Sequence, residues 1–335
     1  MVGKGRTTYI FGAGASLHAG YPSVKTMGSE LLEWMRVPRE HPYDFAFSAG
    51  YLEDRFGNGI EALFEGVERS IRKHEFDRSL IANVHKPALV QAVREWFGEI
   101  HQRNQAHSYE VFASKIVQPG DCVITFNYDV SLDSNLRRAG KWAVGDGYGF
   151  KAEGLPQGST VELLKLHGSM NWLAVMFGGI TSGGFRLPAE GVFGSRPAIP
   201  DGDLSALGYV NVVDPLWPQN GTTAQPPMIL PTSRKRFYFD TNLGREWGSL
   251  WDRLWRSART AIRTSDRIVV CGYGLFPIDR RGCNLLLKGE LSGEIEICSW
   301  SDTDRIVSDL RAHGRKAKAA EQRSFVDWVQ IKAEI

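Results

Sequence analysis

Thr7-Thr-Tyr-Ile-Phe-Gly-Ala-Gly-Ala-Ser16 is a run of five β-branched and aromatic residues leading straight into a glycine turn. A short, continuous apolar run closed by glycine is the pattern of a strand buried on both faces, as in a parallel sheet. Four later segments repeat it. Asp121–Phe126 (DCVITF) ends at Asn127-Tyr-Asp129 and Val161–Leu166 (VELLKL) at His167-Gly-Ser169. Arg267–Cys271 (RIVVC) ends at Gly272-Tyr-Gly274, and Glu294–Cys298 (EIEIC) at Ser299-Trp-Ser-Asp302. In an open parallel sheet, ligands bind outside the carboxyl ends of the strands, so tips far apart in sequence converge on one crevice.

Between the first two strands the pattern changes. From about Thr26 to Lys115, LLEWM, IEALFEGVERSI and ALVQAVREWFGEI place apolar residues three and four apart with charges between them, the period of amphipathic helices. The fold read from these signals is α/β: a Rossmann-like parallel sheet flanked by helices, with a helical insertion module. Residues 1–25 and 116–310 make the sheet domain, 26–115 the insertion, and 311–335 a helical tail whose basic run Arg315-Lys-Ala-Lys318 is a solvated face. Gly178 to Pro227, crowded with Gly, Pro and Ser, reads as a flap of loops and short strands. Leu243 to Thr264 reads as a helix rich in Trp and Arg.

The 335 residues carry 42% hydrophobic and 23% charged side chains and a net charge of +2, the balance of a globular protein with a core and no demand for a nucleic-acid partner. Cys122, Cys271, Cys283 and Cys298 show no paired spacing, which points to reduced core thiols rather than disulfides or zinc. No segment approaches 18 uninterrupted apolar residues and no signal peptide opens the chain, so the expected location is the cytoplasm.

The tips admit chemical readings. Gly12, Ala13 and Gly14 let backbone amides approach a diphosphate, and Ser16 offers a hydroxyl at the start of the next helix; a tight connection alone would also account for the glycines. The turn is not a P-loop, since no Gly-Lys-Ser/Thr follows, and Leu17 stands where a dehydrogenase fingerprint has its third glycine. Asn127 and Asp129 are common turn formers as well as candidate ligand contacts. His167 ends an apolar strand, where its ring faces the crevice as a base of near-neutral pKa; the other seven histidines lie in helices or turns.

Gly12-Ala-Gly-Ala-Ser16, Ala19-Gly-Tyr-Pro22, Thr125-Phe-Asn-Tyr-Asp129 and Lys165-Leu-His-Gly-Ser169, in that order, resemble the sirtuin family. The resemblance is nearest to the bacterial stand-alone, defence-associated branch. There the histidine motif continues into Asn-Trp, as in Asn171-Trp172, and a later glycine motif looks like Gly272-Tyr-Gly-Leu-Phe-Pro-Ile-Asp279. It implies NAD as substrate, with the diphosphate at Gly12, Ala13, Gly14 and Ser16, and with Pro22, Gly272 and Asp302 among the further contacts. It also implies Asn127 and Asp129 around the nicotinamide ribose and carboxamide, and His167 as base.

The departures are equally specific. Phe126 stands where the deacylases carry glutamine, Ser23-Val-Lys25 replaces Asp-Phe-Arg, and no cysteine lies between His167 and Cys271 to build a zinc ribbon. With no metal and no acyl-peptide module expected, water becomes the acceptor, and the implied activity is NAD glycohydrolysis to nicotinamide and ADP-ribose by a regulated effector of antiviral defence. A protein deacylase or ADP-ribosyltransferase, or a non-catalytic NAD- or ADP-ribose-binding regulator, are the alternatives. The branch further implies a homo-oligomer or a partner such as a DNA-translocating ATPase.

Overall fold

The computed structural model describes residues 5–41, 43–73, 75–103, 106–149, 157–175, 197–198, 209–212, 228, 244–291 and 293–334. Six strands form one parallel sheet: β1 (Thr7–Phe11), β2 (Cys122–Thr125), β3 (Glu162–Lys165), β7 (Arg267–Cys271), β8 (Glu294–Cys298) and β9 (Ala317–Ala319). Their order across the sheet is β3-β2-β1-β7-β8-β9. Register is set by pairs such as Tyr9↔Val123, Tyr9↔Val269 and Ile124↔Leu164. All residues of β2 and all but the first of β1 and β7 are buried or nearly so, as the unbroken apolar runs require of central strands. The order reverses between β1 and β7, the switch point at which loops leave the sheet in opposite directions and open a crevice.

Every described element between Met27 and Ile116 is helical. Leu31, Leu32, Met35, Leu63, Phe64, Leu89 and Val93 build a core of their own there. That core also takes in Tyr21, Tyr128 and Met170, which belong to the loops after β1, β2 and β3. The last part of the stretch behaves differently. Tyr109, Phe112 and Ala113 pack into the core of the sheet, with Phe112 edge-on to Tyr9 and Phe11. The helix Gly244–Arg263 lays Trp251, Leu254, Trp255, Ala258 and Ile262 against the sheet, buried residues three and four apart.

One feature differs from the sequence expectation. The tail is not wholly helical: Ala317–Ala319 pairs with β8 as a sixth strand, through Ile295↔Ala317 and Ile297↔Ala319, before the helix Phe325–Glu334. Its three residues are too few for a period, and Lys318, a charge of the kind that protects sheet edges, pairs at 2.7 Å with Glu294. A second, antiparallel sheet joins β4 (Trp172–Val175), β5 (Pro197–Ala198) and β6 (Tyr209–Val212) in the order β4-β6-β5. Of the stretch read as a flap, only residues 197–198 and 209–212 are described; the rest lies outside the described residues.

The four cysteines are buried and unbridged. Among the described residues no three His, Cys, Asp or Glu side chains are grouped to hold a metal ion, and no helix is long and apolar enough to cross a membrane.

Candidate functional site

A cleft of about 660 Å³ opens at the carboxyl ends of β1, β2, β3, β7 and β8. Gly12, Ala13, Gly14, Ser16, Pro22, Asn127, Asp129, His167, Gly272 and Asp302 all line it, so every candidate named from the sequence reaches one cavity. The helical module supplies a wall through Met27, Ile60, Glu61 and Phe97.

The glycine turn is held tightly against the β7 tip. The Gly12 amide donates to the Cys271 carbonyl and the Gly14 amide to that of Gly272, both at 3.0 Å. A Cβ on Gly12 would lie 2.7 Å from the Gly272 carbonyl oxygen, and one on Gly14 2.8 Å from the Gly272 Cα. Gly272 itself has φ +63°, and a Cβ there would meet the Ala15 nitrogen at 2.2 Å. Close approach of two loops therefore explains these three glycines by itself. The amides of Gly12, Gly14, Ala15 and Ser16 already donate to backbone carbonyls, which narrows the cradle read from the sequence and leaves Ala13 as its first candidate donor.

Ser16 also differs from its sequence reading. It joins two short 3-10 turns, Ala13–Ala15 and Leu17–Ala19, ended by Gly20 at φ +80°, and no long helix follows directly. Its buried hydroxyl is fully employed by the protein: it donates to Asp129 Oδ2 at 2.7 Å, meets the Tyr109 hydroxyl at 2.9 Å and accepts from Asn127 Nδ2 at 3.0 Å. Asn127 Nδ2 also donates to the Gly12 carbonyl at 3.0 Å. Ser16 is thus the hub that fixes Asn127 relative to the glycine turn. Tyr109, lying in a helical run, had no sequence signal to mark it.

Asp129 is buried, and both of its carboxylate oxygens are engaged: Oδ2 by Ser16 and Oδ1 by the Ser131 amide at 3.1 Å. Burial holds its carboxyl above the ordinary range, with Lys165 the main opposing influence. Lys165, fully buried at the end of β3, donates to the Asp129 carbonyl and pairs with Asp133 at 3.1 Å. Asp133 also accepts from the Tyr148 hydroxyl at 2.8 Å, and Tyr148 accepts from Asn171 Nδ2 at 2.9 Å. This closed polar network sits behind the site and ties the β2 and β3 tips together.

His167 is 8% exposed. Its Nε2 lies 3.4 Å from Asp279 Oδ2, and Phe126 stands edge-on to the ring at 5.0 Å. Phe126 in turn stacks on Tyr273 at 4.2 Å and 15°. Phe126 is therefore a wall beside the histidine. Tyr273, Asp279 and Trp300, which lie in the tip motifs but had no role of their own in the sequence reading, also line the cleft, as does Arg323, which the sequence did not mark. Asp279, the end of the later glycine motif, caps the helix Arg280–Leu287 through the Gly282 amide at 3.3 Å, and an aspartate before a helical run is the signal that marks such a cap.

No protein-family model matches the sequence, and no curated protein does. Among solved structures, a sirtuin described for its substrate affinity is 12% identical, with a TM-score of 0.41 over 98% of this chain and 93% of its own. Sir2Tm bound to a propionylated peptide is 13% identical, with a TM-score of 0.39 over 98% and 92%. A Sir2 homologue in complex with NAD is 14% identical, with a TM-score of 0.38 over 98% and 90%. At scores this low the similarity carries no argument about chemistry, which rests on the chain's own residues.

Proposed function

We propose that this protein binds NAD in the cleft and hydrolyses its nicotinamide–ribose bond, giving nicotinamide and ADP-ribose. The observation that carries the reading is the meeting, in one cavity at the switch point, of a glycine turn, an asparagine anchored to that turn and a buried histidine at the cavity wall. A volume of about 660 Å³ falls within the range of small-molecule and cofactor sites.

The chemistry asks little of an acid. As the C1′–N bond breaks, its electron pair leaves with nicotinamide and neutralises the pyridinium charge. The ribose passes through an oxocarbenium-like state, water adds at C1′, and the water proton goes to His167. Asn127 orients the ribose and that water, and positioning of this kind supplies much of the barrier reduction. An imidazole, which can take up and release a proton, suits the base role. Asp129, already bonded to Ser16 and Ser131, acts by keeping Asn127 and the turn in place.

The wider reading, a cytoplasmic and regulated effector of bacterial antiviral defence acting in an assembly or beside a partner such as a DNA-translocating ATPase, is supported by the ordered sequence motifs alone. Incubation of purified protein with NAD, followed by chromatography for nicotinamide and ADP-ribose, tests the central claim. Protein that binds NAD without releasing nicotinamide is a non-catalytic binder, and transfer of ADP-ribose or loss of acyl groups on a protein acceptor marks the competing reaction.

A further inference from the structure

We propose that Asp279 is a positioning residue for His167, part of a buried Tyr273–Asp279–His167 relay that sets the orientation and proton placement of the ring. The inference rests on the reading of the cleft as an NAD-cleaving site, and it concerns the last residue of the later glycine motif, to which the sequence reading gave no role.

The geometry separates two jobs within one carboxylate. Oδ1 accepts the Gly282 amide at 3.3 Å and so caps the following helix. Oδ2 takes no part in the cap. It accepts the Tyr273 hydroxyl at 2.8 Å and lies 3.4 Å from His167 Nε2. A cap needs only one acceptor oxygen, and serine, threonine or asparagine supplies it about as well. An aspartate held 5% exposed, with its second oxygen turned toward a histidine, is costly unless that oxygen has a use.

The surroundings strengthen the pairing. Phe126 and Tyr273 stack at 4.2 Å, Phe126 is edge-on to His167 at 5.0 Å, and Trp255 lies 6.5 Å from the same ring. Aromatic walls exclude water and lower the local dielectric, so a carboxylate at this distance acts strongly on the ring. It favours the tautomer with its proton on Nε2, so that a proton taken during the reaction enters at Nδ1. It also stabilises the imidazolium that results, as an aspartate does for the histidine of a hydrolase triad. The three groups come from the β3 tip, the β7 tip and the start of the helix Arg280–Leu287, so the relay forms only when both halves of the sheet are assembled.

Asp279→Asn tests this, because asparagine keeps the cap and the shape while removing the charge. Two measurements are needed. Long-range ¹⁵N–¹H spectra, with the His167 signals assigned from His167→Gln, should show the Nε2–H tautomer in the native protein and its loss in Asp279→Asn. NAD turnover by Asp279→Asn should fall about 10-fold or more in kcat with KM unchanged, while melting stays at the native value. Asp279→Glu should recover part of the loss.

An unchanged His167 tautomer in Asp279→Asn, or a native kcat, overturns the proposal. So does a loss of turnover that merely follows a loss of folded protein, with Asp279→Asn and Asp279→Ala alike. If the native protein releases no nicotinamide, the NAD reading fails, and the ring spectra decide the role of Asp279 by themselves.

Discussion

His167 and Asn127 follow neighbouring strands and both line the cleft, so truncating either one addresses the chemistry while leaving the strands themselves unchanged. His167→Ala or Asn127→Ala is expected to lower NAD cleavage by about 100-fold or more, the scale of losing a positioned base. Full turnover by both variants would place the reaction elsewhere. Ser16→Ala is expected to behave differently. It deprives Asp129, Tyr109 and Asn127 of a common partner in a buried place, so stability should drop by about 1–3 kcal/mol in urea denaturation. At this scale the sequence marked the residues at strand tips, because tips have a recognisable pattern. It did not assign Ser16 to its protein partners or bring Asp279 to His167, since both depend on side chains meeting from distant segments. The glycines were legible as a tight turn, but only the second loop, at Gly272, explains why they are glycines.

Among the elements, β3 and the helix Ser131–Arg138 are joined by the buried Lys165–Asp133 pair. Lys165→Met strands a buried carboxylate and is expected to cost about 3–5 kcal/mol, whereas Lys165→Met with Asp133→Leu should recover a substantial part. The pH dependence has a definite sign. Burial already raises the Asp133 carboxyl, with Lys165 opposing it, so removing the lysine raises it further. A carboxyl raised in the folded state favours folding at low pH and loses that advantage as pH rises through its folded value. The deficit of Lys165→Met should therefore be smallest in acid and grow toward neutrality, and denaturation at several pH values checks it. The central strands were readable because burial on both faces leaves an unbroken apolar run. β9 was not, because a three-residue edge strand carrying Lys318 has no such run. The helical stretch was read correctly in type, but periodicity could not reveal that its last helix joins the core of the sheet through Tyr109 and Phe112.

For the molecule as a whole, unrestrained hydrolysis of NAD would harm the cell that makes it, so the competent state is expected to be scarce at rest. If it is about 1% populated, apparent activity falls about 100-fold, and a trigger or self-assembly that prefers it restores the difference. Specific activity should then rise with protein concentration or with the product of an adjacent gene. Constant high activity under all these conditions, with no harm to expressing cells, would remove the case for restraint. The helical module is placed to take part, since Met27, Ile60, Glu61 and Phe97 wall the cleft while its core includes Tyr21, Tyr128 and Met170 from the site loops.

The central place of β1 also bears on how the chain is made. Thr7 meets Asp121 across 114 residues, and Arg6 meets Asp266 across 260. At about 5–20 residues per second, a ribosome leaves the apolar run Tyr9-Ile-Phe11 without its second neighbour for on the order of tens of seconds. The helical module, whose contacts are mostly local, can collapse during that wait. Nascent chains halted before Arg267 should therefore hold a protected helical module beside an exposed strand that chaperones bind, and release past Cys271 should close that window.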